Sequence, residues 1–131
     1  MYMLDTDTCS YILRSKPAAV RERFKAQALA ELCISEVVLA ELLYGAARET
    51  HRTNELRALV DEFASRLTVL PWNAARAYGD LRAALEALGT PIGNMDTLIA
   101  AHALTLGATL VTNNAKHFSR VTGLRLENWV E

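Results

Sequence analysis

At 131 residues the chain has room for one core and one domain, taken as residues 1–131, and not for two. A hydrophobic share of 51% beside 22% charged residues excludes a disordered or fibrous chain. A formal net charge of -1 excludes a bulk positive field, so any nucleic-acid contact must rest on a local basic patch or a bound cation.

In chain order, Tyr2 to Leu4 is a short apolar run that reads as a buried first strand, ending at Asp5-Thr6-Asp7. Pro17 marks a helix start, and Val20, Phe24 and Leu29 give that helix an apolar stripe. Leu32-Cys33-Ile34 is a second strand, stopped by Ser35, a good N-cap for a helix reaching about Ala47. A further helix spans Asn54 to Arg66, with Leu56, Leu59, Val60 and Phe63 on one face. Thr68-Val69-Leu70 is a third strand, ended by Pro71, and an alanine-rich helix over 73–88 is closed by Gly89. Another helix runs from about Met95 to Leu106 and stops at Gly107; Thr109 to Thr112 is a fourth strand and Leu124 to Leu126 a fifth.

Short strands alternating with helices predict an α/β fold with a parallel sheet of four or five strands covered on both faces. Ligands of such folds bind just outside the carboxyl ends of the strands. The segments to watch are therefore Asp5-Thr6-Asp7, Ser35-Glu36, Pro71-Trp72-Asn73 and Thr112-Asn113-Asn114. The acid at position 5 stands where a signal peptide needs apolar residues. The longest apolar region, 97–111, is too short to span a bilayer and is interrupted by His102, Thr105 and Gly107. A cytoplasmic protein without a membrane partner is expected, its Cys9 and Cys33 free and buried as a reducing compartment allows.

The acids sort by whether a basic residue lies three or four positions away on the same helix. Glu22 has Lys25, Asp61 has Arg57, Glu62 has Arg66, Asp80 has Arg76 and Glu86 has Arg82, and these read as solvated surface pairs. Glu41 has no such partner: Val37, Val38, Tyr44 and Gly45 surround it, a face expected to turn toward the core. Asp96 has none either, and sits in the first turn of an apolar helix, where the helix dipole favours its charge. Asp5 and Asp7 follow a buried strand. Taken singly, Asp96 also fits a helix cap, Glu41 a pairing with a distant arginine, and Asp7 the cap of the first helix. Taken together, unpaired acids at strand ends and helix faces would repel unless a cation joined them. Oxygen-only ligands favour Mg²⁺, or Mn²⁺, over zinc.

Several fragments in fixed order carry a resemblance. They are Met3-Leu4-Asp5-Thr6, then Ala40-Glu41-Leu42-Leu43-Tyr44-Gly45-Ala46, then Pro91-Ile92-Gly93-Asn94-Met95-Asp96. Ile99-Ala100-Ala101-His102-Ala103 and Leu110-Val111-Thr112-Asn113-Asn114 with Phe118 complete the set. Over essentially its whole length the chain resembles the VapC group of PIN-domain ribonucleases, the toxin halves of bacterial toxin–antitoxin pairs. The resemblance implies a three-layer PIN fold and a catalytic metal site built from Asp5, Glu41 and Asp96. It further implies supporting roles for Thr6, Asp7, Thr112 and Asn114, a Mg²⁺ cofactor, and hydrolysis of structured RNA to a 5′-phosphate and a 3′-hydroxyl. Transfer RNA is the implied substrate, with the anticodon loop of initiator tRNA a specific candidate. A VapB-type antitoxin and a homodimer are the implied partners. One departure stands out: the group usually has asparagine where this chain has Asp7.

Outside the acids, Arg14 and Lys16, with Arg21, Arg23 and Lys25 nearby, are candidate phosphate contacts, equally readable as a solvated face. Trp72 and Tyr78 fit stacking on a base or, more readily, core packing; His102 reads as a packed or interface residue, and His51 and His117 as surface residues. Two rivals remain. Asp5-Thr6-Asp7-Thr8 nearly matches the motif of a haloacid-dehalogenase-like phosphatase, in which Asp5 would be the nucleophile. A non-catalytic PIN-like binding module would keep the fold without the chemistry.

Overall fold

The computed structural model describes residues 1–131. Its strands are β1 (Tyr2–Leu4), β2 (Leu32–Ser35), β3 (Thr68–Leu70), β4 (Thr109–Val111) and β5 (Arg125–Glu127). The helices are α1 (Thr6–Arg14), α2 (Ala18–Lys25), α3 (Glu36–Ala47), α4 (Thr53–Arg66), α5 (Ala75–Ala87), α6 (Asn94–Leu106) and α7 (Ala115–Phe118). The strands form one five-stranded parallel sheet in the order β3-β2-β1-β4-β5. Strand order reverses at β1: the chain steps outward through β2 and β3, then returns to its other side with β4. Right-handed crossovers therefore put α1–α4 on one face of the sheet and α5–α7 on the other. The crevice opens where β1 and β4 end side by side.

The three central strands are the apolar ones. Met3, Leu4, Leu32, Cys33, Ile34, Leu110 and Val111 are wholly buried, whereas the edge strands β3 and β5 are half-exposed. Phe63, Phe118 and Trp129 fill the largest volumes of the core. Both cysteines are free and buried. No helix is long and apolar enough to cross a membrane.

Three details depart from the reading of the sequence. Residues 6–14 form a helix to which the sequence reading gave no bounds, and Asp5, not Asp7, caps it: its Oδ1 accepts the Thr8 N–H at 2.8 Å. Asp7 is therefore not a cap but a first-turn residue of α1. The second helix ends at Lys25, so Leu29 falls in a 3-10 turn and is 44% exposed instead of extending the stripe of Val20 and Phe24. Of the five surface pairs expected, Glu62–Arg66 and Glu86–Arg82 form; other bridges join Arg52 to Glu55 and Arg23 to Glu127. Exposed side chains take whichever partner entropy and screening allow, and spacing alone does not decide it.

Candidate active site

Four chain segments deliver the site. β1 ends directly in Asp5, whose side chain is 5% exposed and turned back to start α1. Burial is the largest influence on this carboxyl and pushes its pKa from 3.8 up to about 6. Hydrogen bonds from the Thr112 hydroxyl and from Thr8 work against that rise, and the charge of Asp7 adds to it. Thr112 is itself buried at the end of β4, and its Oγ1 also accepts the Asn114 N–H at 2.9 Å, shaping the turn after the strand.

β2 ends in Ser35, which caps α3 by accepting the Val37 N–H at 3.1 Å. One and a half turns on, Glu41 is half-buried beside exposed Tyr44, so its face meets the crevice instead of the core interior expected for it. The Thr6 hydroxyl donates to Glu41 Oε1 at 2.5 Å and ties the start of α1 to α3. Asp96 reaches the crevice from α6. The backbone turns into that helix through Gly93 at φ 91, a conformation a side chain would strain, and Thr97 Oγ1 donates to the Gly93 carbonyl at 2.6 Å. Asp96 does not cap α6, which starts without a side-chain cap. Burial raises its pKa; the charge of His117 lowers it, that of Glu41 raises it, and a His117 hydrogen bond lowers it again.

Asp5, Thr6, Asp7, Glu41, Asp96, Asn114 and Phe118 line one cavity of about 240 Å³. The structure thus brings together six of the site residues read from the sequence, with Thr112 just beneath them. Arg14 and Lys16 do not join them. Both are exposed at the far end of α1, about 12 Å of helix from Thr6. There Arg14 lies 5.4 Å over the Tyr11 ring. His117 is the residue that sequence reading missed. It is half-buried, and its Nε2 lies 3.1 Å from Asp96 Oδ2 and 2.8 Å from the Ile92 carbonyl. His102 is buried as expected, its Nδ1 2.8 Å from Ser35 Oγ and its Nε2 without a partner; burial lowers its pKa. Trp72 packs edge-on against Tyr78 and donates its indole N–H to the Leu98 carbonyl at 2.9 Å. A second depression of about 310 Å³ lies between α5 and α6 around Arg82, Pro91 and Asn94, and its arginine is already bound to Glu86.

The donor set is all oxygen, and no lysine or arginine forms an ion pair with Asp5, Asp7, Glu41 or Asp96. Carboxylates that share one crevice with no lysine or arginine beside them suit a hard divalent cation. The acids are gathered but not closed around a single point, since no three His, Cys, Asp or Glu side chains stand together at ligand spacing. Glu41 is engaged by Thr6 and Asp96 by His117.

Comparison with known proteins agrees with this architecture. The PIN domain family signature matches residues 2–124. The tRNA(fMet)-specific endonuclease VapC of Shigella flexneri is 45% identical over 130 residues, covering 98% of this chain and 97% of that protein. The crystal structure of DNA-bound VapBC from Salmonella typhimurium superposes with a TM-score of 0.91 at 42% identity, covering 98% of this chain and 97% of that one. VapBC-1 from nontypeable Haemophilus influenzae gives 0.88 at 34% identity, over 99% and 98% of the two chains. The chain belongs to the PIN-domain family and, within it, to the VapC group. That placement, and a pocket into which no lysine projects, leave the phosphatase reading of Asp5-Thr6-Asp7-Thr8 without support.

Proposed function

We propose that this chain is an endoribonuclease toxin that cuts transfer RNA with the help of a divalent cation, Mg²⁺ or in its place Mn²⁺. The observation that supports the reading is the meeting of Asp5, Glu41 and Asp96, from three distant segments, in one crevice where no lysine or arginine pairs with them and only His117 touches Asp96. These three carboxylates would hold the cation, with Asp7 and Asn114 at the rim. When bound, such an ion supplies the positive charge that admits a phosphodiester to an acidic pocket and makes water acidic enough to attack near neutral pH.

The chain's own residues supply position. Thr8 N–H and Thr112 hold Asp5, Thr6 holds Glu41, and the Asn114 side chain is exposed at the rim, where its amide can donate to a phosphate oxygen. No side chain acts as nucleophile. Water attacks phosphorus, the bond to the 3′ oxygen breaks, and a 5′-phosphate and a 3′-hydroxyl result. Initiator tRNA is the first substrate to test, because the relative from Shigella flexneri is named for tRNA(fMet). Arg14 and Lys16 would meet phosphates flanking the cut, not the reacting one. The VapBC complexes among the structural relatives support a VapB-type antitoxin as partner, and the family resemblance a toxin homodimer, in the cytoplasm where the free thiols Cys9 and Cys33 stay reduced.

The test is incubation of the purified chain with total bacterial tRNA, in Mg²⁺ and in excess EDTA. Discrete fragments in Mg²⁺ that vanish with EDTA are expected. Intact tRNA in both Mg²⁺ and Mn²⁺ would contradict the proposal and favour a binding module.

A further inference from the structure

Two acceptors converge on His117 Nε2. A carbonyl oxygen can only accept, so the 2.8 Å contact with Ile92 requires Nε2 to carry the proton, and the same N–H is shared with Asp96 Oδ2 at 3.1 Å. The ring is itself held: it meets the Phe118 ring edge-on at 5.4 Å, and Phe118 is buried in the core. Ile92 is buried as well and leads through Gly93 into α6. One imidazole thus fastens α7, the loop before α6 and the acid that α6 contributes, although Asp96 and His117 are 21 residues apart. Asp96 Oδ1 has no hydrogen-bond partner within the protein.

We infer that His117 is a positioning residue for the reaction: by pinning Oδ2 to the 91–93 loop it fixes the Asp96 rotamer and reserves Oδ1 for the cation. This rests on the metal-site reading given above. A histidine in this place acts through the aspartate and does not touch RNA.

The experiment is a Mn²⁺ titration followed by electron paramagnetic resonance, on wild type, His117→Leu, His117→Gln and Asp96→Asn, with cleavage kinetics alongside. His117→Leu keeps bulk but removes the donor and is expected to weaken Mn²⁺ binding about ten- to hundredfold. Its KM for RNA should stay at the wild-type value, and kcat should return toward wild type as Mn²⁺ is raised. His117→Gln, whose amide donates from the same region, should restore the affinity. Wild-type Mn²⁺ affinity in His117→Leu, with binding lost in Asp96→Asn, would overturn the positioning role alone. Equal weakening by Leu and Gln would overturn it too, since packing and not the donor would then matter. Wild-type affinity in Asp96→Asn would overturn the metal-site reading and the inference with it.

Discussion

Replacing Asp5 with asparagine removes one titrating group and almost no volume, so its effect on stability isolates the cost of burying that charge. Asp5 is 5% exposed and its pKa is raised from 3.8 to about 6, chiefly by burial. A carboxyl raised in the folded state favours folding while protonated, below pH 4. That advantage is lost as pH rises through about 6. The difference between the two pKa values corresponds to roughly 3 kcal/mol, an upper figure because asparagine meets Thr112 and Thr8 less well than a carboxyl does. Asp5→Asn should therefore match wild type near pH 4 and exceed it by about 1–3 kcal/mol above pH 7, or roughly 3–10 °C in Tm for a chain of this size. Urea unfolding of both proteins from pH 4 to 8 measures this. Mg²⁺ should close the gap at high pH by stabilising wild type alone, by about 2.7 kcal/mol at a hundredfold excess over Kd. A variant less stable than wild type above pH 7, or a difference that ignores pH, would refute the reasoning.

Ser35→Ala removes both the α3 cap and the Nδ1 partner of buried His102, whose Nε2 already lacks one; a loss of roughly 2–3 kcal/mol in urea unfolding is expected. Thr6→Val keeps the shape of the side chain but drops the bond to Glu41, and should lower kcat about tenfold with little change in Tm. Burial raises the Cys9 thiol and lifts Cys33 to about 11, so neither should react with a thiol reagent at pH 8 until denaturant is added, when both should.

Much of the fold was legible because apolar runs and caps fall together. Leu32-Cys33-Ile34 followed by Ser35, and the apolar helix closed by Gly107, stand where periodicity and capping place them. The acids of the crevice stood out by two other signals: Glu41 and Asp96 by the absence of a basic neighbour on their own helix, Asp5 and Asp7 by their place just after a buried strand. What stayed hidden depends on contacts across the chain. α1 opens with Thr6, Asp7, Thr8 and Cys9, poor helix formers that hold only because Asp5 doubles as their cap. Leu29 looks like a stripe residue until the helix before it stops short. The role of His117 cannot be seen from its neighbours, since both groups it binds lie more than twenty residues upstream. Its place in the sequence, just after Thr112-Asn113-Asn114 at the end of a strand, was the one available hint.

The most direct test of the account is single-turnover cleavage of end-labelled initiator tRNA by wild type, Asp5→Asn, Glu41→Gln and Asp96→Asn in Mg²⁺. Wild type is expected to make one dominant cut, with a 5′-phosphate on the downstream fragment. Each folded variant should cut at a rate at least about a hundredfold lower. A wild-type rate in any of the three would contradict the assignment of that acid, and in all three the claim that this crevice cuts RNA.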